Sequence, residues 1–116
     1  MSSCKAKKTI LDNCVGRSQP LSFLVEYAAN SIVSKTILDR PAGTITLFAF
    51  DQGQQLSEHT APYDAVVQIV DGTAQLTIGG VVVMASAGEI AIMPANVPHS
   101  VIAVEKLKMM LTMIRE

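Results

Sequence analysis

Residues 53–72 read GQQLSEHTAPYDAVVQIVDG, and residues 88–103 read GEIAIMPANVPHSVIA. Together they hold both histidines of the chain, His59 and His99, with Gly53 and Gly72 flanking the first and Gly88 preceding the second. Ala65–Val70 is a short apolar run leading into Asp71-Gly72, a dipeptide suited to tight turns with positive φ. Between the two stretches, Thr73–Ile78 (TAQLTI) alternates polar and apolar residues and stops at Gly79-Gly80. Val81–Met84 then runs back, so residues 73–84 read as a hairpin with a two-residue loop.

The same short periods continue on both sides. Ile32–Leu38 mixes β-branched and polar residues, and Thr44–Asp51 (TITLFAFD) sets threonines against bulky apolar groups. Glu89–Met93, His99–Val104 and Leu107–Ile114 complete a set of about eight or nine strands, the spacing of an all-β barrel or sandwich. Pro20 precedes Leu21–Ala29 with Asn30 at its end, which predicts one or two helical turns. Residues 1–18 are polar and mixed and read as a loosely held tail. The expected organisation is an N-terminal extension over 1–30 packing on a barrel domain over 31–116.

Val66–Val70, Val81–Met84 and Lys108–Ile114 are apolar at adjacent positions as well as alternate ones. Such strands want cover on both faces. Sheet-on-sheet packing supplies one cover, and a subunit contact, most simply in a symmetric homodimer, supplies the other. The N-terminal segment is the alternative cover.

Composition narrows the function classes. A chain of 116 residues suits one core. An apolar share of 49% against 16% charged excludes a disordered chain. A net charge of −1 leaves no basic footprint for nucleic acid, and Lys5, Lys7, Lys8 and Arg17 read as a solvated tail. No window reaches the roughly 18 to 20 apolar residues of a membrane span, and the basic N-terminus has no apolar h-region. No membrane partner is expected, and the expected location is the cytoplasm, with Cys4 and Cys14 as free thiols. The methionines, without tryptophan, suit an adaptable aliphatic interior.

The first stretch resembles the first cupin motif, G-x5-H-x-H-x3-E-x6-G: Gly53, His59 and Gly72 match, while Ala61 stands for the second histidine and Ala65 for the glutamate. The second resembles the second motif, G-x5-P-x-G-x2-H-x3-N: Gly88, Pro94 and His99 match, Asn96 stands for the glycine and Ala103 for the asparagine. Asparagine tolerates the left-handed region better than most residues, so that exchange is mild. The SEHTAP and PANVPH segments and the KMMLTMIR tail look like the small single-domain cupin 2 proteins. The resemblance covers roughly Ile32 to Ile114 and implies a double-stranded β-helix, a jelly-roll-like barrel, commonly dimeric.

In metal-binding cupins the motif-one histidines and glutamate join the motif-two histidine around a transition metal. Here the resemblance leaves only His59 and His99, and two neutral imidazoles hold a divalent transition metal weakly. A third ligand would have to come from Asp64, Glu58, Gln68 or water. Strand alternation puts 59, 61, 65, 67 and 69 on the inner face and turns those three residues outward unless a bulge shifts the phase.

The alanines also leave space near the barrel mouth. Phe48 or Phe50, Met93 and one of Met109, Met110 and Met113 either refill it or line an apolar pocket. The expected ligand pocket is His59, Ala61, Ala65, Val67, His99, Phe48 and Met93. Tyr63 and Asp64 sit where they would rim it or serve as turn residues. The leading functional reading is a small-molecule-binding barrel with an incomplete metal-ligand set. One alternative is a metal-dependent dioxygenase or isomerase using His59, His99 and a non-standard third ligand. The other is a scaffold or regulatory homodimer. Ser57, Ser100 and Cys14 show no nucleophile–base arrangement.

Overall fold

The structure, a computed structural model, describes residues 9–115. Its strands are β1 Thr9–Ile10, β2 Ile32–Arg40, β3 Gly43–Phe50, β4 Gln55–His59, β5 Asp64–Asp71, β6 Thr73–Ile78, β7 Val81–Ser86, β8 Ile90–Met93, β9 His99–Ala103 and β10 Leu107–Ile114. They form a six-stranded sheet in the order β1-β2-β3-β10-β5-β8 and a four-stranded sheet in the order β4-β9-β6-β7. Every pairing is antiparallel. This is the all-β two-sheet barrel that the strand pattern and the resemblance imply.

The alternation in the sequence decides which side chains meet between the sheets. Along β5, Ala65, Val67 and Ile69 are buried while Val66, Gln68 and Val70 between them are only half-buried. Ala74 and Leu76 of β6, Val101 and Ala103 of β9, and Leu107 and Met109 of β10 close on them with Phe50 and Met93. Leu76, Leu107, Val67 and Met109 are almost wholly removed from water, each contributing about 1.5–3 kcal/mol. Met93 sits directly opposite Ala65, whereas Met109 lies opposite Ile69 and Phe50 opposite Leu107, further along the same buried layer.

Two connections differ in meaning. Ile78 pairs with Val81, so Gly79-Gly80 is the expected two-residue hairpin loop, with both glycines at positive φ. Asp71-Gly72 does not close a hairpin. Gly72, at φ +81°, turns the chain from β5 in one sheet to β6 in the other. A two-residue signal reports the backbone bend but not whether the next strand pairs back or crosses the barrel.

The outer face of the six-stranded sheet is partly covered by the N-terminal segment. A single 3-10 turn, Leu21–Phe23, takes the place of the longer helical stretch. Leu24, Val25 and Tyr27 then pack over Leu47, Ala49, Val33, Ile37, Val70 and Met110, burying Leu47 and Ala49 fully. Lys108 pins this strap: its Nζ donates to the Ser22 carbonyl and lies 4.8 Å from the Tyr27 ring centre. The Tyr27 hydroxyl donates to Asp71 Oδ2 at 2.6 Å. Part of the tail read as loose is also held, since Thr9 and Ile10 pair with Asp39 and Leu38. Cys4, Lys5, Lys7 and Lys8 lie outside the described residues. Among the described residues no helix is long and apolar enough to cross a membrane.

Candidate functional site

β4 carries His59, and its sequence QLSEH has no two-residue period. Its pairing with β9 explains why. Leu56 sits opposite Val101, yet His59 sits opposite His99, so β4 fits one residue more than its partner into that interval. This bulge breaks the alternation that a pattern search relies on. It also lets Leu56, packed against the core, and His59, facing His99, lie on the same side although they are an odd number of residues apart.

The two imidazoles meet edge to face, with ring centres 4.4 Å apart and planes at 73°. Their Nε2 atoms are 3.1 Å apart. Each Nδ1 is tied to a carbonyl two residues earlier in its own chain segment: His59 to Ser57 at 2.8 Å, His99 to Val97 at 3.0 Å. Carbonyls only accept, so both Nδ1 atoms carry protons and both Nε2 atoms are left for each other or for a ligand. Three hydrogen bonds around two rings need three N–H groups, whereas two neutral imidazoles bring two. The third place is filled by one extra proton or by a donor or cation from outside. His59 is exposed and His99 is 5% exposed, so the pair spans the boundary between solvent and core.

The structure separates the other expected pocket residues by depth. Ala65, Val67 and Met93 are buried, with Ala65 paired opposite Met93, and Phe48 packs against the same cluster half-buried. Ala61 is half-buried, and its carbonyl accepts from the Asn96 N–H at 2.7 Å. Asn96 has φ +64°, the left-handed conformation expected where the motif has glycine. The possible third ligands are placed elsewhere. Asp64 Oδ1 accepts from the Ala95 N–H at 2.8 Å. Gln68 faces outward and lines a cavity of about 300 Å³ on the far side of the sheet, with Leu21, Ile90 and Met110. Glu58, in the bulge beside His59, is exposed.

This donor set does not fit a resident catalytic metal. Such a site takes three protein ligands, and the glutamate position is an alanine sealed against Met93. Among the described residues no three His, Cys, Asp or Glu side chains group to hold an ion. The carbonyls of Ser57 and Val97, which orient the rings, escape a sequence reading, because backbone acceptors leave no mark on residue type.

Fold and histidine pair together define a two-sheet barrel with its polar site between the two sequence motifs. The model of the cupin domain matches residues 46–115, and the chain belongs to that family as a small cupin 2 barrel protein. A conserved protein of unknown function from Streptococcus pyogenes is 28% identical, with a TM-score of 0.86 over 98% of each chain. A cupin 2 conserved barrel domain protein from Leptotrichia buccalis is 35% identical, with a TM-score of 0.77 over 81% of this chain and 46% of that one. A cupin superfamily protein from Desulfitobacterium hafniense shares the fold at a TM-score of 0.83 and 24% identity, over 86% of this chain and 92% of that one. No curated protein matches the chain.

Proposed function

We propose that this barrel binds a small molecule at its mouth, with His59 and His99 as the polar handle and no dependence on a resident metal. The observation that carries this reading is the pair of Nε2 atoms, 3.1 Å apart, with both Nδ1 atoms committed to backbone carbonyls. Two rings fixed in tautomer and orientation present one convergent polar point above an apolar interior, the usual make-up of a small-ligand site. The ligand offers a polar group to the Nε2 atoms and rests its apolar part near Ala61 and Phe48. The protein acts in a reducing cytoplasm, where Cys14 stays the free thiol found here. It acts as a homodimer, which would cover Ile90 and Ile92 on the edge strand β8, 63% and 62% exposed.

The test is a thermal-shift screen of metabolite-sized compounds, beside metal analysis of the purified protein, on the wild type, His59→Ala and His99→Ala. A ligand at a hundredfold its Kd adds about 2.7 kcal/mol. The expected hit raises the unfolding midpoint of the wild type and of neither variant. Near-stoichiometric metal in the wild type, lost from both variants, would overturn the proposal in favour of a metal-dependent enzyme with a third ligand beyond these side chains.

A further inference from the structure

The two imidazoles are delivered by two separate chain segments, and something must hold those segments in register. His59 ends β4, and residues 60–63 lead from it into β5. His99 begins β9 after residues 94–98, which lead out of β8. The second loop is anchored at three points. Gly79 N–H donates to the Pro98 carbonyl at 2.8 Å, Asn96 N–H donates to the Ala61 carbonyl at 2.7 Å, and Ala95 N–H donates to Asp64 Oδ1 at 2.8 Å. The first two anchors are backbone to backbone. The third is a side chain, from the first residue of β5, on the loop that follows β8.

We infer that Asp64 is a positioning residue for the histidine pair, a clasp that sets His99 against His59. Consecutive N–H groups of the 94–98 loop, Ala95 and Asn96, are caught by the segment after His59, one by the Asp64 carboxylate at the start of β5 and one by the Ala61 carbonyl of the 60–63 loop. The clasp fixes the backbone just before Val97, whose carbonyl holds His99 Nδ1 at 3.0 Å. The path runs from Asp64 to Ala95, along the backbone to Val97, and through the Val97 carbonyl to the ring. Asp64 neither touches the imidazoles nor needs to bear a proton; it needs only an acceptor oxygen at that place. This inference rests on the reading of the pair as the working site, but it concerns the geometry of the rings and is tested without a ligand.

The experiment is long-range ¹H–¹⁵N histidine NMR on the whole chain, which reports which ring nitrogen carries the proton. The variants are Asp64→Ala and Asp64→Asn, and the amide of Ala95 is followed by hydrogen exchange. The wild type is expected to show both rings protonated at Nδ1 and a protected Ala95 amide although it lies in a loop. In Asp64→Ala that amide should exchange about tenfold faster or more, and His99 should give averaged tautomer shifts. Asp64→Asn keeps an acceptor oxygen and should restore both signatures. Unchanged His99 shifts in a folded Asp64→Ala protein, or no rescue by asparagine, would overturn the clasp. If Asp64→Ala does not fold, a rapidly exchanging Ala95 amide in the wild type overturns it just as well. None of these outcomes depends on whether a small molecule binds, so the clasp and the ligand-binding proposal fail separately.

Discussion

A methyl group on Gly72 would lie 1.8 Å from the Lys106 carbonyl oxygen, and the residue sits at φ +81°. The obstacle is backbone, so it cannot swing aside. Gly72→Ala therefore combines a left-handed penalty of about 1–2 kcal/mol with a clash that moves the start of β10. The expected result is a large loss in the urea midpoint, whereas Gly53→Ala, with open space around its Cβ, should show little beyond the conformational penalty. Equal losses at the two positions would contradict this account. Tyr27 supplies a pH test. Burial first, and then its hydrogen bond to Asp71, push its pKa well above the ordinary 10.0. A raised value means that the folded state holds this proton more tightly than the unfolded chain does. The contribution is therefore complete below about pH 10 and is lost as pH rises beyond it. Urea midpoints of wild type and Tyr27→Phe should converge above that pH, and a gap that stays constant would show that the phenol does not titrate this way. Asp51 moves in the opposite direction: N–H donation from Asn30 and Gln52 lowers its pKa, so its contribution fades only as pH falls below the ordinary carboxylate range.

At the scale of the element, the strap over residues 20–27 and the bulge in β4 matter most. The strap is short, and its one 3-10 turn has no side-chain cap. Its placement comes from Val25 in the outer-face cluster and from Lys108 beneath it. Lys108 is only 9% exposed, so its stem packs while its ammonium group meets the Ser22 carbonyl and the Tyr27 ring. Lys108→Met keeps the stem and removes both polar contacts, an expected cost of about 1–3 kcal/mol. The same variant should open residues 15–30 to limited proteolysis before the barrel is cut. Simultaneous digestion of strap and barrel would mean that the strap has no separate latch. The sequence allows a bulge here without placing it, for a physical reason. A strand pattern is a two-residue period, and QLSEH keeps no such period once two residues oppose one.

For the whole molecule, one apolar layer between two sheets carries most of the stability. Leu76 is fully buried within it, and Leu76→Ala is expected to cost about 2–5 kcal/mol. Val82→Ala, on a side chain 57% exposed, should stay within about 0.5 kcal/mol. Chemical denaturation of the two variants checks the ranking. Similar values would mean that the β7 surface is buried in solution, as a homodimer through that face would make it. Sedimentation equilibrium then distinguishes the 12.4 kDa monomer from its dimer.

The strand alternation, the paired glycines of the β6–β7 loop and the two motifs were legible in the sequence alone, because each is a short-range pattern tied to a local backbone geometry. They determined the all-β barrel, its family, the inward set Ala65, Val67 and Ile69, and both histidines as candidates. The left-handed Asn96 was legible for the same reason. Only the tertiary structure decided that His59 and His99 meet through their Nε2 atoms, because a bulge, two backbone carbonyls and a loop clasp set that distance. It alone tied Asp64 to the Ala95 N–H, and it alone set Met93 opposite Ala65 with Met109 and Phe50 further along the core. These are contacts between residues far apart in the chain, and residue type by itself does not encode which of several compatible neighbours packing will choose.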